Sequence, residues 1–371
     1  MENAIVKGWT FSTHHPSMTT ARRRPPTSAQ VALKAGVSRT TVSFVLNGVR
    51  NQGISDSTYA KVLAVAQEMG YHPNAAARSL ASGATGTVAL VIPKASHLCV
   101  DAFLAQLVAT LNEECHHHGL KMLIESTDEE GREPGGFMNL VRGRSIDGLI
   151  VANLRTSEHA HLERIREAGI ALVALTSRPN ELKDICTLCS DTSVSAQTAV
   201  KHLIGLGHQK IAYISYAQPE FDSVHEREIG WRTALTEAGL NPDPALVEYA
   251  DISAQSGYDA ARRLLARGVK FTGLFAGNDT VAFGIARALQ EAHLRIPEDV
   301  ALVGYDDIPL AAYANPPLTT MRTDPVGQAK AALQLLLAQF NGQPLTADAA
   351  HEVAPRLVVR ASCGSKSQNS R

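Results

Sequence analysis

The sequence predicts an α/β protein: an N-terminal three-helix head of helix-turn-helix type and a hinge helix, followed by a two-lobed body with two parallel sheets. Three observations carry this. Short, polar-capped helical segments fill Thr27 to Tyr71. From Thr87 onward apolar strands alternate with periodic helical stretches, and the alternation runs about twice the length of one doubly wound sheet. A chain of 371 residues with 44% hydrophobic content can bury several cores.

Taken in order, residues 1–26 are polar and basic with Pro16, Pro25 and Pro26, and read as a disordered leader in which Met18 is an alternative start. Residues 27–72 read as the head. Thr27 caps a first helix that stops at Gly36, Ser38 caps a second that stops near Gly48, and Ser55 caps a third that Gly70 ends, with Ile54 and Tyr59 placed as a hydrophobic staple. Val31, Ala32, Val42, Val45, Leu46, Val62, Leu63, Ala66 and Met69 are the expected core. Residues 73–84 read as hinge and linker, where Asn74 can cap two turns from Ala75 to Leu80. Helices under about 12 residues are marginal alone in water, so this one needs a partner.

The body, residues 85–362, contains the strand-like runs TVALVIP, KMLIES, DGLIVAN, ALVAL, KIAYIS, FTGLFAG and VALVGYDD. A late helix from Pro325 to Phe340 and the strand HEVAPRLVVR close it, and residues 363–371 read as a disordered tail. That tail lacks the apolar heptads of a tetramerising segment, which favours a homodimer. No run approaches the roughly 18 apolar residues of a membrane span, and the N-terminus lacks a signal-peptide core, so the expectation is a cytoplasmic chain with no membrane partner.

Formal net charge is −1. From Thr20 to Leu80, however, eight basic residues face two acidic ones, a surplus of six that leaves −7 for Ala81 onward. A basic head on an acidic body directs attention to nucleic acid at one end only. Two short helices joined by Gly36 and Val37 inside that basic segment make a helix-turn-helix, whose second helix can enter the DNA major groove. Arg39 and Thr40 start this helix and are placed to reach base edges, arginine by two bonds to guanine and threonine by hydroxyl or methyl. Thr41, Ser43 and Asn47 are short donors suited to phosphates, and Thr27 and Ser38 are further DNA-binding candidates. Phe44 falls on the polar side of the helical wheel, where it can meet a thymine methyl or, alternatively, lid the small core.

The segments AGVSRTTVSFVLNG, GYHPNAAARSLASG, HLIGLGHQKIAYI, GND and VGYDDIPLAAYANPPLTTMR, in this order, resemble the lactose and galactose repressor family of bacterial transcription regulators. The resemblance spans Thr27 to about Ser362. It implies a body like a periplasmic binding protein, a repressor that binds a palindromic operator as a dimer, and control by a small molecule in the interlobe cleft; an arginine with carboxylate, amide and hydroxyl partners suits a sugar or related metabolite there, with a phosphorylated or acidic effector as the alternative. It also implies that paired hinge helices fold on the minor groove, with Leu80 as a wedge. Ala77 and its neighbouring alanines permit close helix approach, and Arg78 is placed for a phosphate or groove contact.

In the body, Asn278 and Asp306 follow strands where ligands of parallel α/β folds bind, and both match effector-contacting positions of the family. Arg227 matches its forked anchor, and Ser223 lies one turn earlier. The plainer alternatives are an interlobe salt bridge for Arg227 and a turn cap for Asp306. Trp231 reads as core and Asp191 as structural. Phe103 is the first-lobe candidate, and Thr176 stands after ALVAL where the family often has aspartate.

Other signals point elsewhere. CTLC at Cys186–Cys189 has metal-like spacing without a second pair, and CHHH at Cys115–His118 reads as a solvated helix end, so no metal site is expected. The five cysteines read as reduced, structural thiols. A cytoplasmic α/β oxidoreductase would want G-x-G-x-x-G after the first strand, where TVALVIPKAS has none. A stand-alone solute-binding protein has no use for a basic head. The expectation is therefore a protein that is not an enzyme and needs no cofactor.

Overall fold

In the computed structural model, residues 25–50, 52–72, 79, 83–127, 136–153, 155–176, 182, 184–189, 191–343 and 354–365 are described. The chain divides into two compact units, Met1–Ser82 and Gly83–Arg371.

In the first unit, helix α1 (Ser28–Ala35) begins with a capping box: Gln30 N donates to Thr27 Oγ1 at 3.3 Å, and Thr27 N donates to Gln30 Oε1 at 2.8 Å. Gly36 ends it in left-handed backbone at φ 70°, which turns the chain within two residues into Ser38. Ser38 Oγ then accepts from Thr41 N at 3.0 Å and starts α2 (Arg39–Leu46). Ser55 does the same, with Thr58 N at 3.3 Å, for α3 (Asp56–Glu68). Val31, Ala32, Ala35, Val42, Val45, Val62 and Ala66 form the buried core, with Leu46, Ile54, Tyr59 and Met69 packed around it. Leu63 was expected inside but is 43% exposed. It sits roughly 100° around the helix from Val62, so only one of the two can face inward.

Among the described residues the second unit holds two sheets. One has five strands in the order β2-β1-β3-β4-β5: β1 (Thr87–Ile92), β2 (Lys121–Ser126), β3 (Gly148–Ala152), β4 (Ala171–Thr176) and β5 (Cys186–Cys189). The other has six in the order β11-β10-β9-β8-β6-β7: β6 (Ile211–Ser215), β7 (Val247–Tyr249), β8 (Gly273–Ala276), β9 (Ala301–Asp306), β10 (Thr319–Arg322) and β11 (Arg356–Val358). All described pairings are parallel except β10 with β11. Strands β5 (CTLC), β7 (VEY) and β10 (TTMR) escaped the sequence reading because, unlike the equally short β8 inside FTGLFAG, they hold no three consecutive apolar residues. The closing strand proves shorter than HEVAPRLVVR; of that run, residues 351–353 lie outside the described residues.

Each sheet is covered on both faces. Helix α4 (Ala102–His117) shares the first lobe's core with α11 (Pro325–Phe340), while α5 (Met138–Arg142) and α6 (His159–Glu167) cover its other side. In the second lobe α7 (Thr192–Gly205) and α8 (Asp222–Glu237) lie on one face, and α9 (Ala254–Ala266) and α10 (Asp279–Glu291) on the other. The chain therefore leaves the first lobe after β5, returns to it for α11, and leaves again for β11.

Helices α9 and α10 touch backbone to backbone. A methyl group added at Gly284 would lie 1.8 Å from Ala254 O, and one at Gly257 would lie 2.4 Å from Val281 O. Gly284→Ala is therefore expected to destabilise the body by about 3 kcal/mol, the upper range of overpacking. Urea unfolding followed by circular dichroism checks this; an unchanged midpoint would contradict so close a helix contact.

Candidate functional site

In each sheet the strand order reverses beside one strand: β1 lies between β2 and β3, and β6 between β7 and β8. Such switch points leave a crevice outside the carboxyl ends of the strands. The segments that leave these strand ends line one cleft of about 970 Å³, open mouth included. Pro93, His97 and Asp101 follow β1, Asn153 follows β3, Tyr216, Ser223 and Arg227 follow β6, and Asn278 follows β8. Tyr305 and Asp306 end β9, and Phe103, Leu104 and Leu107 on α4 supply an apolar side.

Arg227 lies on the second turn of α8 and is 7% exposed. Its Nη1 donates to Gly277 O at 2.5 Å, and its guanidinium carbon stands 3.7 Å from the Tyr305 ring centre and 4.7 Å from that of Tyr216. Its Nε is buried with no protein acceptor, which marks a donor aimed at something else. The arrangement differs from an interlobe salt bridge, because the head group is seated within its own lobe. Tyr216 OH donates to Asn153 Oδ1 at 2.9 Å and pairs with Ser223 Oγ at 2.5 Å, so a first-lobe amide is bonded to second-lobe hydroxyls.

Asn278 caps α10, Oδ1 accepting from Val281 N at 2.8 Å, which leaves its amide hydrogens as the group it can offer a ligand. Asp306 and Asp307 have φ of 109° and 55°, and this backbone turns their side chains to different partners. Asp307 takes Arg322 Nε at 2.5 Å and Arg360 Nη2 at 2.7 Å, while Asp306 faces the cleft. Asp306 is not the cap of the following turn: Ile308 N donates to Asp279 Oδ2 at 2.9 Å instead.

Burial pushes the Asp306 carboxyl well above its ordinary range; Arg227 opposes this, and Asp101 and Asp279 add to it. Asp101, the cap of α4, is likewise raised by burial, against the backbone N–H groups of Leu104 and Phe103 and the charge of Arg227. The cleft thus offers carboxyl acceptors, guanidinium and amide donors and an apolar side.

Of the sequence candidates, Phe103, Ser223, Arg227, Asn278 and Asp306 converge on this cleft. Thr176 is the last residue of β4, and its side chain is not among those described. In the head, Thr27, Ser38, Arg39, Thr40, Ser43 and Asn47 are exposed and Thr41 is partly exposed. Phe44 is half-buried, so the exposed ring expected from the wheel is a partly sheltered one. Asn74, Ala77, Arg78 and Leu80 lie outside the described residues. Sequence reasoning missed Asp101, Asn153, Tyr216 and Tyr305. The strand-end rule that found Asn278 also applies to Asn153 and Tyr216, which directly follow apolar strands. Trp231 is fully buried, with Nε1 donating to Ile211 O at 3.1 Å, and Asp191 caps α7; both are structural. Cys186 and Cys189 stand three apart on β5 and so face opposite sides of the sheet. No cluster suited to a metal ion occurs among the described residues.

The family model for bacterial regulatory proteins of the lacI family matches residues 29–74, and that for the periplasmic binding protein-like domain matches residues 200–363. The HTH-type transcriptional regulator CelR of Thermobifida fusca is 33% identical over 325 residues, which make up 87% of this chain and 94% of the relative. The lac repressor dimer bound to operator and the anti-inducer ONPF superposes with a TM-score of 0.80 at 28% identity, covering 92% of this chain and 99% of that one. A CelR–cellobiose complex gives a TM-score of 0.66 at 29% identity, with 91% and 99% covered.

Asp279 lies behind the cleft, fully buried, accepting from Thr320 Oγ1 at 2.6 Å, and burial pushes its carboxyl up to about 7. Its folded-state pKa exceeds the unfolded one, so the native state holds the proton more tightly. Its contribution to stability is present below the ordinary carboxyl range and is lost as pH rises through about 7, by up to about 1.4 kcal/mol per pH unit. Asp101 and Asp306 act in the same direction. Unfolding free energies measured from about pH 4 to pH 7 should show a smaller decline in Asp279→Asn than in the wild type; an identical slope would contradict the assignment.

Proposed function

The chain belongs to the lacI family of bacterial regulatory proteins, and from that membership we propose that it is a sequence-specific transcription repressor, working as a dimer on a palindromic operator under control of a small molecule in the cleft. The observation that carries the DNA side is the outer face of α2, where Arg39, Thr40, Ser43 and Asn47 are exposed above an apolar core that fixes their direction. Arginine at the start of such a helix can bond guanine through two donors, while the short hydroxyls and amides meet phosphates. The hinge residues Asn74, Ala77, Arg78 and Leu80 complete this reading, with Leu80 as the minor-groove wedge.

The effector reading rests on Ser223, Arg227, Asn278 and Asp306 meeting at the cleft wall, with Phe103 as an apolar platform. Hydroxyl-rich molecules need both donors and acceptors, and this wall has both. Burial favours the neutral form of Asp101 and Asp306 beside the Arg227 cation, so their carboxyls can donate as well as accept, which suits the hydroxyls of a neutral sugar. CelR and the lac repressor dimer, with cellobiose and operator in their respective structures, are consistent with this choice. The proposal places the protein in the cytoplasm and assigns it no catalysis; none of the described helices is long and apolar enough to cross a membrane.

Selection of bound genomic fragments, followed by gel shift with a panel of neutral mono- and disaccharides, tests the proposal. A twofold-symmetric site should emerge, and one sugar should change its affinity; binding no stronger than to random DNA would refute it. Arg39→Ala should cost about 1–3 kcal/mol of operator affinity and relax preference at one base pair. Arg227→Ala should keep wild-type operator affinity but lose the sugar response; a full response would remove Arg227 as the anchor.

A further inference from the structure

The two lobes of the body are joined by side chains as well as by chain crossings, and one joint lies immediately before the effector-facing residues of α8. Asp222, the first residue of that helix, is 1% exposed although its side chain is a carboxyl group. Both of its oxygens are met from the other lobe: Thr156 Oγ1 donates to Oδ1 at 3.1 Å, and His159 Nε2 lies 2.9 Å from Oδ2. The backbones pair at the same place. Thr156 N donates to Glu220 O at 3.2 Å, and Arg155 and Phe221 form an antiparallel bridge, with the Arg155 guanidinium 4.5 Å over the Phe221 ring. One residue further on, Ser223 Oγ donates to Asn153 Oδ1 at 3.2 Å.

We propose that Asp222 is a positioning residue of the cleft: by joining Thr156 and His159 it clasps the two lobes and fixes the start of the helix that carries Ser223 and Arg227. A carboxylate placed there without partners would be costly, so the pairing favours arrangements in which the loop after β3 and the start of α8 stay together. The consequence for regulation deepens the effector-controlled function and rests on it. The clasp itself is measured without DNA or effector, so its failure is distinct from failure of the regulatory reading.

Hydrogen–deuterium exchange of the full-length chain tests the clasp. Asp222→Ala and His159→Ala should each raise exchange of amides in residues 155–160 and 216–224 about tenfold, while β6, β8 and β9 keep wild-type protection. The double variant should exchange no faster than the more affected single variant, because both changes remove one shared contact. Thr156→Val, which deletes a single hydroxyl, should loosen the same segments to a smaller degree and decides the matter if Asp222→Ala loses protection throughout the body. Wild-type exchange of those segments in the single variants, or multiplied effects in the double variant, would overturn the proposal.

Discussion

A guanidinium buried at the point where two sheets end is the constraint around which the body is arranged. Arg227 cannot be withdrawn from water unless its positive face is answered, and the answers come from widely separated parts of the sequence: Gly277 O, the Tyr216 and Tyr305 rings, and the field of Asp306 and Asp101. Each is delivered by a strand end or helix start, so the parallel topology that places all strand termini on one side also makes the site possible. The Arg227 Nε is buried without a protein acceptor, and such a donor at the wall of a cleft is prepared for a ligand oxygen.

Much of this was legible in the sequence where the determinant is local. The head could be read from Thr27, Ser38 and Ser55 because an N-cap acts on a backbone N–H two or three residues away, and Gly36 announced its left-handed turn in the same way. Asn278 and Asp306 could be named from strand ends together with family resemblance, Arg227 from resemblance and Ser223 from its place one turn earlier, whereas Phe103 had none of these signals behind it. What stayed hidden depends on distance in the chain. Strand ends single out Asn153 and Tyr216 one by one, but nothing in either neighbourhood says that they become partners across 63 residues. Leu63 failed for a different reason: a helical wheel assigns faces, but in a head of three short helices the small core decides which rim positions are sheltered.

The contacts joining the lobes are unequal. Lys94 and Asp251 form a 3.1 Å pair across the cleft, with side chains 35% and 55% exposed, an arrangement worth about 0–1 kcal/mol. Asp222 is shielded from solvent and has both carboxyl oxygens met, and leaving such a buried group unsatisfied costs about 1–3 kcal/mol. The buried joint therefore dominates the balance, and it adjoins Ser223 and Arg227, so disturbance at either place reaches the other through less than two turns of helix.

That inequality limits how strong the joint can be. A ligand shifts an equilibrium only by its differential affinity for the two arrangements, and allosteric couplings generally amount to about 1–3 kcal/mol. If the lobes were held together by a large apolar interface, the closed arrangement would already be fully populated and an effector would have nothing to shift. A few polar contacts around Asp222 and Asn153 keep the difference within the range a small molecule can tip. The same linkage makes the clasp and the effector reciprocal: whatever favours the closed cleft raises effector affinity, and by an equal amount leaves less of the population for the effector to move.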